Sequence, residues 1–307
     1  FLLRNHKISN DINWEAFREK TEGWVVQDFI DFYDKARYIV WKGRETLTEV
    51  DLMSAINSIK PLSLYNVPLF KGEGYSWDDV GGLDDVKQTL RSLLKWPLQY
   101  SEFYATAGVH HDNSILLYGM PGTGKTLIAG AIPQECKLNF INVKGPELLS
   151  KYIGGSEEAV RAVFEKAKRI RPCVIFFDEF ESLAPRRGHD STGVTDRVVN
   201  MLLTQFDGVE GREGIGIVVA TSRPDLLDPA ILRPGRIDRS LLCPLPDAQT
   251  RAKILEILCK RDGIDVEGFD FELLGEMTYE YSGADLTSVL NQAKINAYSS
   301  VLDELKK

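Results

Sequence analysis

Five short apolar runs punctuate the middle of the chain: Ile115 to Tyr118, Phe140 to Val143, Cys173 to Phe177, Ile215 to Ala220 and Leu241 to Cys243. The stretches between them carry helical periodicity. In residues 157–170, Val160, Val163, Phe164 and Ala167 recur at i, i+3, i+4 and i+7, and Ser156 is placed to cap that helix. Apolar strands bounded by Gly and Pro and separated by amphipathic helices predict a parallel sheet covered on both faces. The two ends differ from the middle. Residues 11–60 and 247–307 have helical periodicity and few strand signals, and they share a pattern. Glu19, Thr21, Asp28 and Ala36 each stand 257 residues before Glu276, Thr278, Asp285 and Ala293, which predicts an internal repeat. Residues 61–74, with Pro61, Pro68, Gly72 and Gly74, read as an irregular connector.

At 307 residues the chain exceeds one ordinary compact domain. Its net charge of −8 leaves no electrostatic footprint for nucleic acid or an anionic membrane. No apolar run approaches the about 20 residues needed to cross a bilayer, and no basic segment leads into an apolar one as a signal peptide requires. The first residue is Phe1, so the sequence reads as a piece of a longer chain. Cys136, Cys173, Cys243 and Cys259 show no CxxC spacing. They read as buried free thiols in a reducing compartment in preference to disulfides or a zinc site.

The chemistry concentrates at Gly119-Met120-Pro121-Gly122-Thr123-Gly124-Lys125-Thr126, a complete G-x-x-x-x-G-K-[ST] between an apolar strand and a helical stretch. Glycines let the backbone N–H groups converge on phosphate oxygens, and the following helix points its positive end at the same anion. Lys125 is placed for the β- and γ-phosphates of ATP and Thr126 for Mg²⁺. A second constellation, Asp178-Glu179, ends the run Val174 to Phe177. Alone, two carboxylates after a strand read as a solvated loop. With the phosphate loop, Asp178 is expected to hold Mg²⁺ and Glu179 to orient the attacking water.

With these motifs in place the chain resembles the AAA+ ATPases over essentially its whole length. The resemblance implies an α/β P-loop fold with a five-stranded parallel sheet of order 5-1-4-3-2 and a C-terminal helical lid. It divides the chain into the lid of a preceding module (1–60), a linker (61–74), a large ATPase domain (75–246) and a small helical lid (247–307). Trp77 to Leu83 resembles the segment that lies against adenine, placing Asp79, Val80 and Gly81 at the base. Ser222 falls at the sensor-1 position, usually Asn; its shorter reach bears on the hydrolysis rate and not on binding. Leu232 to Asp238 resembles the arginine-finger segment, so Arg233 and Arg236 are expected to reach a neighbouring subunit's γ-phosphate; in isolation they would read as surface arginines. Gly283 and Ala284 match the lid residues near adenine and ribose. Residues 144–154 resemble the first pore loop, with Tyr152 and Ile153 gripping an extended polypeptide; without the family, Tyr152 would read as a core residue. Residues 187–193 read equally as a second pore loop or a solvated loop.

Asp178-Glu-Phe-Glu181 and Thr221-Ser-Arg-Pro224 resemble the peroxisome-biogenesis branch of the family. That branch implies a hetero-hexameric ring with a second peroxisomal AAA ATPase. The ring is recruited through an anchor protein to the cytosolic face of the peroxisomal membrane, where it extracts a ubiquitinated import receptor by threading. The alternatives are a nucleotide-binding ring scaffold whose partner hydrolyses ATP, motivated by Ser222 and Pro133, and a segregase of another membrane system. A metalloprotease is disfavoured because no His-Glu-x-x-His is present. Met120 replaces the family's usual proline without consequence. Pro133 falls inside the helix expected after the loop, where a proline costs about 3 kcal/mol; nothing in the sequence accounts for it unless the helix breaks there.

Overall fold

The computed structural model describes residues 7–8, 21, 26–41, 46–57, 75–99, 114–149, 155–186, 194–208 and 214–305. The chain divides into two compact units, one built mainly from residues 1–69 and the other from 70–167 and 172–307. The linker expected at 61–74, Tyr152 and Ile153, and the 187–193 loop lie outside the described residues.

In the first unit, β1 (Lys7–Ile8) pairs in parallel with β2 (Thr46–Leu47). Helices α1 (Val26–Trp41) and α2 (Glu49–Asn57) pack on each other. Asp28, Phe32 and Ala36, four residues apart on one face of α1, are buried, as are Leu52, Ala55 and Ile56 of α2. The start of α1 at Val26 and the start of the last helix at Gly283 are again 257 residues apart (283 − 26). Ala36 is buried while Ala293 is exposed, and Glu19 lies outside the described residues.

The second unit opens with a 3-10 turn at Trp77–Asp79 and α3 (Asp84–Leu90). A π-type turn at Arg91–Lys95 then leads into α4 (Trp96–Gln99). Next come β3 (Ser114–Tyr118), α5 (Lys125–Gly130), α6 (Ile132–Cys136), β4 (Asn139–Lys144), α7 (Gly145–Leu148) and α8 (Gly155–Arg169). They are followed by β5 (Cys173–Asp178), α9 (Val194–Asp207), β6 (Ile215–Thr221) and β7 (Arg239–Leu242). Three helices close the chain: α10 (Ala248–Arg261), α11 (Phe271–Met277) and α12 (Gly283–Leu305).

Strands β3 to β7 form one parallel sheet in the order β4-β5-β6-β3-β7. Counted within the sheet and read from the other edge, this is the 5-1-4-3-2 order the resemblance implied. Ile115, Leu116 and Leu117, and Val174 through Phe177, are buried on alternating faces, as a sheet covered on both sides requires. Register places the strand ends together. Tyr118 pairs with Thr221 and Phe177 with Val219, so Gly119, Asp178 and Ser222 all emerge at the carboxyl edge, where ligands of such sheets gather.

Three local expectations shift. The strand expected at Leu241 to Cys243 is β7 at Arg239–Leu242, and Cys243 follows it. Helix α8 starts at Gly155, so Ser156 is not a flanking cap but a buried residue inside the first turn. The helix after the phosphate loop does break. α5 ends at Gly130, Ala131 carries φ −86° and ψ −12°, and Pro133 lies in the first turn of α6, where its missing N–H has no intrahelical role. The four cysteines are free and buried.

Candidate functional site

The phosphate loop owes its shape to glycines in the left-handed region. Gly122 has φ +78° and Gly124 φ +91°. At Gly119 a Cβ would stand 2.2 Å from the carbonyl oxygen of Cys243, so the loop begins pressed against the exit of β7. Thr123 Oγ1 donates to the Met120 carbonyl at 2.9 Å. Lys125, buried at 7% exposure, donates to the carbonyls of Gly119 (2.8 Å) and Met120 (2.7 Å). An ammonium has three N–H donors, so the loop meets two of them and a phosphate oxygen suits the third. Burial pulls the Lys125 pKa down, against the fields of Cys243, Asp178 and Glu181. Burial also pushes the Cys243 thiol up to about 11, so at neutral pH it is uncharged and the two carboxylates supply the opposing field. The Met120 side chain is 59% exposed and so meets no packing constraint in the core.

Thr126 Oγ1 donates to Asp178 Oδ2 at 2.8 Å, joining the first turn of α5 to the end of β5 across 52 residues of chain. A hydroxyl and a carboxylate are hard oxygen donors that fit Mg²⁺, which completes its shell with water and phosphate oxygens. Among the described residues there is no cluster of three or more His, Cys, Asp or Glu that would form an all-protein metal cage.

Glu179 is exposed and sits in the left-handed region at φ +50°, a strained conformation for a non-glycine residue costing about 1–3 kcal/mol. The turn is held in several ways. The Glu179 N–H donates to Asp178 Oδ1 (3.0 Å), and the Glu179 carbonyl accepts from the Ser182 amide (3.0 Å) and hydroxyl (2.8 Å). Phe180, fully buried, packs among Phe177 and Phe206 at ring separations of 5.7 and 6.4 Å, and Phe164 joins the same cluster. Burial of one such ring contributes about 2–3 kcal/mol, enough to offset the strain. Thr221 Oγ1, buried at the end of β6, donates to Glu181 Oε2 at 2.6 Å and accepts from the Arg223 amide at 3.0 Å, bracketing Ser222.

These groups face a cavity of about 900 Å³, within the usual range for small-molecule sites. Asp79, Val80, Gly81, Pro121, Gly122, Thr123, Gly124, Lys125, Thr126, Asp178, Glu179, Ser222, Gly283 and Ala284 all line it. Gly119 and Met120 do not; they act through their carbonyls on Lys125. Arg233 and Arg236 do not line it either. Arg236 is gripped by Asp207 through two bonds of 2.7 and 3.0 Å and by the Ala230 carbonyl at 2.7 Å, which holds the Asp207 carboxyl below its ordinary pKa. Arg233 is exposed.

Several contacts that shape the site carry no sequence signal. The Asp79 carboxylate turns back to the Ser76 amide and hydroxyl, and Lys87 Nζ occupies the Val80 carbonyl at 2.6 Å. A Cβ on Gly81 would meet Ile254, and one on Gly82 would meet Thr250, so this glycine pair lies flush against α10. The Ala284 amide donates to the Gly122 carbonyl at 3.3 Å, seating the start of α12 on the phosphate loop. The helical spacing of Thr250 and Ile254 opposite two glycines is a signal visible only in retrospect.

The family model for the ATPase family associated with various cellular activities (AAA) matches residues 115–245. The chain is 48% identical over 301 residues to the peroxisomal ATPase PEX1 of Cricetulus griseus, covering 95% of this chain and 23% of that protein. It is 46% identical over 300 residues to PEX1 of Homo sapiens, with the same 95% and 23% coverage. To a cell division cycle protein 48 homolog of Archaeoglobus fulgidus it is 44% identical over 320 residues, covering 97% of this chain and 43% of that one. The chain thus spans about a quarter of the length of the two peroxisomal relatives. Phosphate loop, carboxylate pair and sheet order agree with the match: residues 115–245 carry a domain of the AAA ATPase type.

Proposed function

We propose that this chain is a Mg²⁺-dependent ATP-hydrolysing module of a hexameric ring that extracts a ubiquitinated import receptor from the peroxisomal membrane by threading it through a central pore. The observation that carries the enzymatic part is the Thr126–Asp178 hydrogen bond beside Lys125, which brings two oxygen donors suited to Mg²⁺ and a cation suited to phosphate into one cavity. Lys125 neutralises the β- and γ-phosphates, Thr126 and Asp178 hold the metal, Glu179 polarises water and Ser222 contacts the γ-phosphate. The peroxisomal part is supported by the 46–48% identity to PEX1 proteins. The partner is a second peroxisomal AAA ATPase, and an anchor protein recruits the ring to the cytosolic face. Among the described residues no helix is long and apolar enough to cross a membrane, in keeping with peripheral recruitment.

In this reading residues 1–60 are the lid of a preceding module, 61–74 a linker, 75–246 the large domain and 247–307 its lid. The equal spacing of the starts of α1 and α12 supports the two-lid division. Arg233 and Arg236 complete a neighbour's site, and Tyr152 and Ile153 line the pore. Glu179→Gln in the full-length protein, assembled with its partner, tests the enzyme. The variant should retain bound ATP, cease turnover and leave the receptor on the membrane. Unchanged ring turnover would instead support a scaffold role. The similarity to the cell division cycle protein 48 homolog favours, as a second reading, a segregase acting elsewhere; co-purification without any peroxisomal ATPase would point there.

A further inference from the structure

Arg251, in the first turn of α10, is 5% exposed, yet oxygen atoms of the backbone and one hydroxyl meet its guanidinium where a carboxylate would be expected. Nη1 donates to the Pro246 carbonyl at 2.7 Å. Nη2 and Nε donate to the Gly275 carbonyl at 2.7 and 3.1 Å, and Nε also reaches Thr278 Oγ1 at 3.2 Å. A buried cation is tolerated here because the last-turn carbonyls of α11 present the negative end of that helix. The approach is tight: a Cβ on Gly275 would stand 2.4 Å from the Ala248 carbonyl, so α11 lies directly against the first residue of α10.

The acceptors belong to two segments, each of which runs on into the lining of the nucleotide cavity. Pro246 and Thr250 line one wall, and Gly283, Ala284 and Thr287 line the other. Between the clamp and that second wall lies only the turn from Thr278 to Ser282, closed by the Tyr281 amide on the Thr278 carbonyl (3.1 Å) and containing Glu280 at φ +61°. Ser282 then meets the phosphate loop, where a Cβ on Gly122 would stand 2.6 Å from its hydroxyl. We propose that Arg251 is a positioning residue that ties the two lid walls together and so sets the width of the ATP cavity, controlling nucleotide affinity without touching the nucleotide. Only a planar fork serves this purpose: one guanidinium spans two segments at fixed geometry, which a point-charge ammonium cannot do.

This inference rests on reading the cavity as the nucleotide pocket. The test compares wild type, Arg251→Lys and Gly275→Ala in the full-length protein, using a fluorescent mant-ATP for binding and ATP turnover for catalysis. Arg251→Lys keeps the charge and the buried stem, and Gly275→Ala moves the acceptor with the arginine intact. Both should raise the mant-ATP Kd and the KM for ATP roughly fivefold or more, with kcat at saturating ATP within about twofold of wild type. A merely structural role would lower the active fraction, so kcat would fall at unchanged KM, and that result overturns the proposal. So does an Arg251→Lys variant with wild-type Kd. A wild type that fails to bind mant-ATP overturns the pocket reading and the inference with it.

Discussion

Gly145 opens α7 directly after β4, and it admits no side chain. A Cβ there would stand 2.1 Å from Ser182 Oγ, 2.6 Å from the Glu179 carbonyl oxygen and 3.3 Å from that of Asp178. Its backbone is outside the left-handed region, so the constraint is steric alone. The serine hydroxyl can rotate away at the loss of its 2.8 Å bond to the Glu179 carbonyl. The carbonyl itself has no such freedom. Contacts between carbon and a carbonyl oxygen settle at about 3.3 Å, so in Gly145→Ala the Glu179 peptide must retreat by roughly 0.7 Å. Overpacking of this kind costs about 1–3 kcal/mol of stability. Its larger effect falls on chemistry, since misplacing a catalytic group by 1 Å costs on the order of 100-fold; a loss of roughly 30-fold in kcat is expected. Lys125 and Thr126 lie on another element, so mant-ATP affinity should stay within about twofold. Turnover and binding measured on the same full-length preparation check this. Adding Ser182→Ala removes the hydroxyl obstacle but not the carbonyl, and should recover little. Wild-type turnover by Gly145→Ala, or full recovery in the double variant, would refute the proposed coupling.

Three further outcomes follow from the same geometry. Thr126→Ser keeps the hydroxyl on Asp178 and should retain most turnover, whereas Thr126→Ala should lose on the order of 100-fold in Mg²⁺-dependent kcat, read from rate against magnesium concentration. Pro133→Ala should destabilise slightly, by about 0.5 kcal/mol through greater freedom of the unfolded chain; a gain of about 3 kcal/mol in denaturant unfolding would mean that the proline sits in a helix interior after all. The Asp285 carboxyl is held below its ordinary range by the Ser282 hydroxyl and amide. A carboxyl depressed in the folded state stabilises above the unfolded value, about pH 4, and loses that contribution as pH falls through the folded value. Asp285→Asn should therefore flatten the decline of Tm with acid, and equal acid limbs in both proteins would count against the Ser282–Asp285 cap.

How far the sequence reaches depends on the kind of contact. The phosphate loop was legible because its requirements are residue types at fixed spacing. Only glycine takes φ +78° and +91° cheaply, and only a lysine and a hydroxyl fit the next two positions. The strands were legible because burial on both faces leaves unbroken apolar runs, though β7, with exposed Arg239, Ser240 and Leu242, slipped by a residue or two. Pro133 registered as a conflict between motif and propensity, and the structure resolves it with a helix break at Ala131. The lid was the least legible part. Arg251 bonds to carbonyls up to 24 residues away, and every residue has a carbonyl, so no pairing of residue types announces the clamp. Gly81, Gly82 and Gly275 are likewise needed for what lies opposite them, which is fixed only once α10 is in place.

The arginines bear on whether one chain suffices for catalysis. The cavity of this chain already gathers Lys125, Thr126, Asp178, Glu179 and Ser222, yet no guanidinium of the finger segment reaches it. To turn inward, Arg236 would have to abandon a bidentate pair with Asp207 and the Ala230 carbonyl. Those charge-assisted bonds together contribute roughly 2–3 kcal/mol even allowing for the exposure of Asp207. Arg233 stands exposed at the head of the turn that Arg236 fastens, its carbonyl accepting from the Arg236 amide at 3.1 Å. A segment so fastened is built to present its cation outward at a fixed position, not to fold back. On the proposed ring reading, Arg233 is therefore the cation this segment would offer to a neighbouring subunit's cavity, and Asp207 would act by fastening the segment that carries it.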